Sequence, residues 1–198
     1  IYDASGNSVT LSSEILNNEN AVFVGVASND STIDIIYFPS QNDAISYCAG
    51  NGDLEYVATK LSQINAVRNF AADHEVNFDS DEEPNETVRQ YMDSVFGSAK
   101  TTSAGIMWEH ITTTINNQNQ TVFTGGGSTM GLTQAAQYSF FGFRNKASLV
   151  WQVGWNTLCD YRWWGGQKFF CFGAGYVPLG GPASAGPNFF NDRAESGF

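Results

Sequence analysis

Residues 147–177 read ASLVWQVGWNTLCDYRWWGGQKFFCFGAGYV, and the reading of this stretch decides the fold. Leu149, Trp151, Val153 and Trp155 alternate with Val150, Gln152, Gly154 and Asn156, the period-two pattern of a strand with a buried face. Downstream, Trp164-Gly165-Gly166 separates two aromatic runs and predicts the tip of a hairpin. A three-residue loop there sets Trp163 opposite Gln167, Tyr161 opposite Phe169 and Cys159 opposite Cys171. Directly opposed cysteines can bridge. A two-residue Gly-Gly loop slips the pairing by one and leaves them diagonal, so the cysteines favour the longer loop and a Cys159–Cys171 disulfide.

The surrounding composition divides the chain. Of 198 residues, 28 are aromatic, and 15 of these fall in residues 137–190, which carry a net charge of +3. Residues 1–136 carry −13 and the last eight −1, for a total of −11. With 42% hydrophobic residues, the chain is too apolar for a disordered polymer. Its length suits one domain with its own core. The arrangement predicts an aromatic C-terminal sheet and an acidic, solvated helical layer. An acidic field with no basic run disfavours nucleic acid as a partner.

Three cysteines in a chain poor in Lys and rich in Asn, Ser, Thr and Gly suggest export to an oxidising compartment. The odd count leaves Cys48 as a buried thiol or a link to another chain. The start at Ile1 fits removal of a leader, or a boundary within a longer chain. Sequons at Asn29, Asn85 and Asn119 permit glycosylation. No apolar run reaches the roughly 18 residues of a membrane span.

Outward from the hairpin, 21–27 (AVFVGVA) and 31–38 (STIDIIYF) read as two strands joined at Ser28-Asn29-Asp30. Ser40 caps a short helix that Gly50 closes. Leu54, Val57, Leu61, Ile64 and Val67 give a long helix through about residue 72. The acid-rich loop after it contains His74, expected on the surface. Pro84 and Asn85 then open a third helix striped by Val88, Tyr91, Met92, Val95 and Phe96. Residues 101–117 (TTSAGIMWEHITTTINN) lean to a helix or mixed segment, with a strand as the alternative. GGGSTMG (125–131) reads as a turn opening a helix capped by Ser128. Residues 1–20 form an arm or edge strand, and 178–198 a Gly/Pro-rich tail. The expected fold is a single α+β domain: an antiparallel sheet of N-terminal and C-terminal aromatic hairpins, with about three helices on one face.

Intact catalytic motifs are missing. GGGSTMG lacks the lysine of a phosphate loop and the spacing of a nucleophile elbow. Asp79, Asp81, Glu82 and Glu83 lack the spacing of a calcium loop, and no cysteine–histidine spacing suggests zinc. No metal or cofactor is expected. Glu109 and His110, beside Trp108, are the best acid–base pair, although adjacent residues diverge on a helix or strand. The more suggestive surface is Tyr161, Arg162, Trp163, Trp164 and Lys168, because an exposed aromatic beside a cation both stacks and hydrogen-bonds. The leading expectation is a secreted, non-enzymatic binding protein of toxin or effector type, acting on a cell-surface glycan or partner protein through the hairpin tip. The alternative is a secreted hydrolase using Glu109 and His110.

Overall fold

The computed structural model describes residues 1–26, 34–80, 82–97, 104–119, 121–131, 149–179, 193 and 195–197. In chain order the elements are β1 (Tyr2–Asp3), α1 (Ser13–Leu16), β2 (Val22–Val26), β3 (Ile35–Phe38), α2 (Gln41–Cys48), α3 (Glu55–Asp73), α4 (Glu86–Phe96), β4 (Ala104–Ile115), β5 (Thr121–Gly131), β6 (Leu149–Tyr161), β7 (Gly165–Pro178) and β8 (Ser196–Gly197). A single 3-10 turn, Gly52–Leu54, leads into α3. The turn at Ser28-Asn29-Asp30 and the Phe189-Phe190 pair lie outside the described residues.

All eight strands join one sheet in the order β1-β3-β2-β7-β6-β4-β5, with β8 pairing β6. β1 runs parallel to β3 and β2 parallel to β7; the other pairings are antiparallel. The expected antiparallel sheet with about three helices on one face is therefore corrected to a mixed sheet with four helices. The reason lies in AVFVGV. Val22 and Val24 pack beneath α2 and α3 with Phe38, Leu61 and Phe170, while Phe23 packs on the reverse face with Ile35, Phe169 and Cys171. A short strand apolar on both faces belongs inside a sheet covered on both sides, the usual setting of a parallel neighbour. The fourth helix, α1, brings Ile15 against that reverse face.

The helices form for local reasons. Ser40 accepts the amide of Asp43 at the start of α2, and Asn85 accepts that of Val88 at the start of α4. Asn85 thus spends its side chain as a cap, whereas Asn119 sits exposed, at φ 60°, in the β4–β5 turn. Val57, Leu61, Ile64, Val67 and Ala71 form the buried stripe of α3.

Residues 104–131 correct the expectation of helical structure. They form the antiparallel β4–β5 ribbon, and β4 pairs with β6 only from Ala104 to Trp108. Runs of Thr and Ile favour the pleated conformation. The helix expected after Gly-rich 125–127 is instead strand, with a bulge between Trp108 and His110 that Gly127 accommodates at φ 74°.

The β6–β7 hairpin exists, but its turn lies one to two residues earlier than Trp164-Gly165-Gly166. Trp163 and Trp164 occupy the two central positions, both at φ 55°, and the amide of Gly165 donates to Arg162 O at 3.1 Å. This is a turn of the type I′ kind, a conformation normally given to Asn-Gly. The two glycines instead make room for close neighbours at the start of β7. A Cβ on Gly165 would lie 2.9 Å from Arg68 Nη1, and one on Gly166 2.9 Å from the Tyr161 ring. The register shifts accordingly: Cys159 faces Lys168, and Cys171 faces Asn156. Cys159 packs under α3 and α4, Cys171 on the reverse face, and both are free and buried, as is Cys48. The Cys159–Cys171 disulfide is thereby corrected, since residues on opposite faces of a sheet cannot meet.

Trp163 and Trp164 have no exposed surface. They pack edge to face at 6.3 Å and against Ile64, Val67, Ala71 and Val88. Left-handed geometry costs a non-glycine residue about 1–2 kcal/mol, while truncating a buried Trp to Ala costs about 3–5 kcal/mol. Burial wins. Trp163→Ala and Trp164→Ala are each expected to lower the unfolding free energy by about 3 kcal/mol or more; a loss under about 0.5 kcal/mol in urea denaturation would place the rings at the surface. Titration of the unreduced, denatured chain should find three free thiols, and one thiol would restore the disulfide.

Candidate functional site

The residues singled out from sequence around the hairpin end do converge, but with divided roles. Trp163, Trp164 and Lys168 are core, so the expected exposed tip is corrected to a buried one. Tyr161 alone is open, at 44% exposure, and Arg162 shows only its edge.

Tyr161 forms a saddle between two clefts. On one side a cavity of about 530 Å³ is lined by Arg68, Phe78, Asp79, Tyr161, Arg162 and Glu195. On the other a smaller cleft of about 220 Å³ includes Glu19, Asp160, Gln167 and Arg193. The Tyr161 hydroxyl donates to Glu19 Oε1 at 3.0 Å across the saddle, and this raises its pKa. The ring rests on Gly166, so it is fixed at both ends.

Every charged wall is tied down. Arg68 reaches from α3 and donates to Trp163 O at 2.7 Å, with its guanidinium 4.5 Å over the Phe78 ring. Arg162 donates to the carbonyl of Asp79 and lies 3.7 Å from Glu195. Arg193 grips both carboxylate oxygens of Asp160 in a bidentate pair. Residues 193–197 act as a latch. Glu195 N donates to Cys159 O, Ser196 Oγ accepts the Trp164 amide and donates to Tyr161 O, and Gly197 O accepts the Trp164 indole. Gln167 extends the network, donating to Ile15 O, Leu16 O and Asn18 O at the end of α1.

Glu109 and His110 take separate parts. The Glu109 carboxylate accepts the Ser128 amide at 3.0 Å and closes the β4–β5 bulge, while His110 is exposed on the ribbon. His74 is exposed too, stacked on Phe70 at 4.1 Å. Among the described residues no three of His, Cys, Asp and Glu gather into a metal site, and no helix is long and apolar enough to cross a membrane.

Sequence reasoning missed Arg68, Glu195 and Arg193, the partners of the saddle. Arg68 lay visibly off the α3 stripe, a signal that it faces something polar; nothing marked Glu195 or Arg193 within the tail. Comparison with protein-family models, curated proteins and solved structures finds no match to this chain.

Lys168 lies beneath this site, 1% exposed, with Nζ donating to Gly166 O at 2.9 Å. Burial pushes its pKa down to about 8, Cys159 opposing and Arg68 adding to the shift. The unfolded lysine keeps its proton to about pH 10.4. Between these values the unfolded state binds more protons, so this group makes stability rise with pH. Cys48 and Cys159, pushed up to about 11 by burial, act oppositely above about pH 9 and mask the rise. Comparing wild type with Lys168→Met isolates it. Wild type should gain on the variant by about 1.4 kcal/mol per pH unit between pH 8 and 10; a difference independent of pH would mean the amine is solvated.

Proposed function

We propose that this chain is a secreted, non-enzymatic binding protein of toxin or effector type, engaging a cell-surface glycan or a partner protein across the Tyr161 saddle. The observation that carries this reading is an exposed tyrosine, immobilised at both ends, between two clefts lined by paired Arg and carboxylate side chains. Such a surface is preorganised. A ligand that stacks on Tyr161 and hydrogen-bonds into the larger cleft orders little new chain, so little of its binding energy is lost to ordering. Tyr and Arg are also the residue types that most often anchor interfaces.

The hydrolase alternative draws less support. The Glu109 carboxylate already holds a backbone amide, and Glu109 and His110 are successive residues on a strand, which directs them to opposite faces. The odd cysteine, the absence of a Met at position 1 and the sequons are compatible with export and carry no weight of their own.

Charges in the larger cleft balance, Arg68 and Arg162 against Asp79 and Glu195, so a polar ligand should bind with little salt dependence. The test is binding of the labelled chain to a glycan microarray and, by flow cytometry, to bacterial, fungal and animal cells, alongside Tyr161→Ala. The variant should fold with a nearly unchanged Tm and bind about thirtyfold more weakly, since anchor truncation costs about 2 kcal/mol. Undiminished binding by folded Tyr161→Ala would remove the saddle as the contact surface.

A further inference from the structure

α2 and α3 cover only part of the sheet face on which they lie. The cover ends at Tyr56, whose ring stacks on Trp155 at 5.0 Å and 10°, with Phe172 next to it at 4.9 Å. Beyond that border the same face continues along β7, β6 and β4. Tyr176, Trp151 and Ile106 are cross-strand partners in one row, and Ala174, Val153 and Ala104 form the next. Trp108 comes within 6.4 Å of Tyr176, on the same face, and its ring lies so close over Gly125 that a Cβ there would be 2.2 Å away. Ile106 is 41% exposed, Val153 45% and Tyr176 37%, while Trp108 and Trp151 are half-buried. Every residue on this face of the three strands, from 104 to 108, 151 to 155 and 172 to 176, is uncharged.

A contiguous exposed patch of this kind marks a contact surface. Its chemistry selects the occupant. A chain of net charge −11 repels anionic partners and a second copy of itself, and a cationic partner would find no counter-charge on the patch. A neutral polysaccharide meets neither obstacle. Each sugar ring has one apolar C–H face that stacks on an aromatic ring, and hydroxyls at its edge that stay in water. Strands lie about 4.8 Å apart, comparable to the length of one sugar ring, so a row across β7, β6 and β4 can address successive units.

We propose that the face formed by Ile106, Trp108, Trp151, Val153 and Tyr176 is a binding platform for the flat side of a neutral polysaccharide chain, a site separate from the Tyr161 saddle. Depletion of the purified chain onto microcrystalline cellulose, chitin, insoluble β-1,3-glucan and mannan, with alginate as the anionic control, tests it. Retention is expected on at least one neutral polymer, unchanged between low and high salt and absent from alginate. It should weaken at least about tenfold in Trp151→Ala/Tyr176→Ala, whose rings are the stacking surface. Val153→Asp removes no ring and sets a charge on an exposed position, so it serves if the double variant misfolds, and it should weaken retention likewise. Tyr161→Ala should be retained as wild type, which separates this site from the saddle. No retention on any neutral polymer, or retention indifferent to Val153→Asp, would overturn the proposal. So would platform variants that instead abolish a concentration-dependent dimer or co-sedimentation with phosphatidylcholine vesicles.

Discussion

Two consecutive tryptophans held in the left-handed region at the end of β6 organise this molecule. On an isolated hairpin the Trp163-Trp164 turn would be disfavoured by about 2–4 kcal/mol, two residues at the usual cost of left-handed geometry. It persists because the indoles fill the space beneath α3 and α4, and because Arg68, Ser196 and Gly197 take up the polar groups of the turn. Helix, hairpin and latch are therefore coupled: α3 supplies the cover and the cation, and residues 193–197 supply the remaining partners. A turn that cannot form alone fixes the register of the longest strand pair, and that register places every other residue of β6 and β7.

The consequences for function depend on which side chains this leaves outside. With both indoles turned inward, Tyr161 is the aromatic left at the hairpin end, and the charged groups that hold the turn become the walls of its clefts. Further down the same strands, beyond Tyr56, the helices no longer cover the sheet, and Trp151, Val153 and Tyr176 are left partly open. One end of β6–β7 is thus polar and preorganised by ion pairs, the other flat and uncharged. The two surfaces suit different chemistry, and each can be altered without disturbing the other.

The helices were legible in the sequence because their signals are local: Ser40 and Asn85 as caps, Leu61, Ile64 and Val67 as a stripe. The hairpin was legible as a hairpin, but its register was not. Gly165-Gly166 marks the place where Arg68 and Tyr161 approach the backbone, and it imitates a turn; two cysteines brought opposite by that misreading made it self-consistent. Parallel pairing of β2 with β7 joins residues far apart in sequence, so no short-range pattern reports it. Residues 104–131 carry Ile and Trp at spacings that suit either period, and only pairing with β6 decides for strand. Of the saddle, Tyr161 and Arg162 stood out as an aromatic beside a cation, whereas Glu195 and Arg193 act through a latch formed after the chain has returned to β6.

The most direct measurement of the turn's organising role is native-state hydrogen exchange at the amides of Trp164 and Gly165. Bonded to Ser196 Oγ and to Arg162 O beneath two buried indoles, they should exchange only through global unfolding, with the same opening free energy as the amides of Phe170 and Val24 in the central strands. Exchange of Trp164 and Gly165 as fast as at the exposed β4–β5 turn around Asn119 would contradict it, because a freely opening tip cannot be what sets the register of β6 and β7.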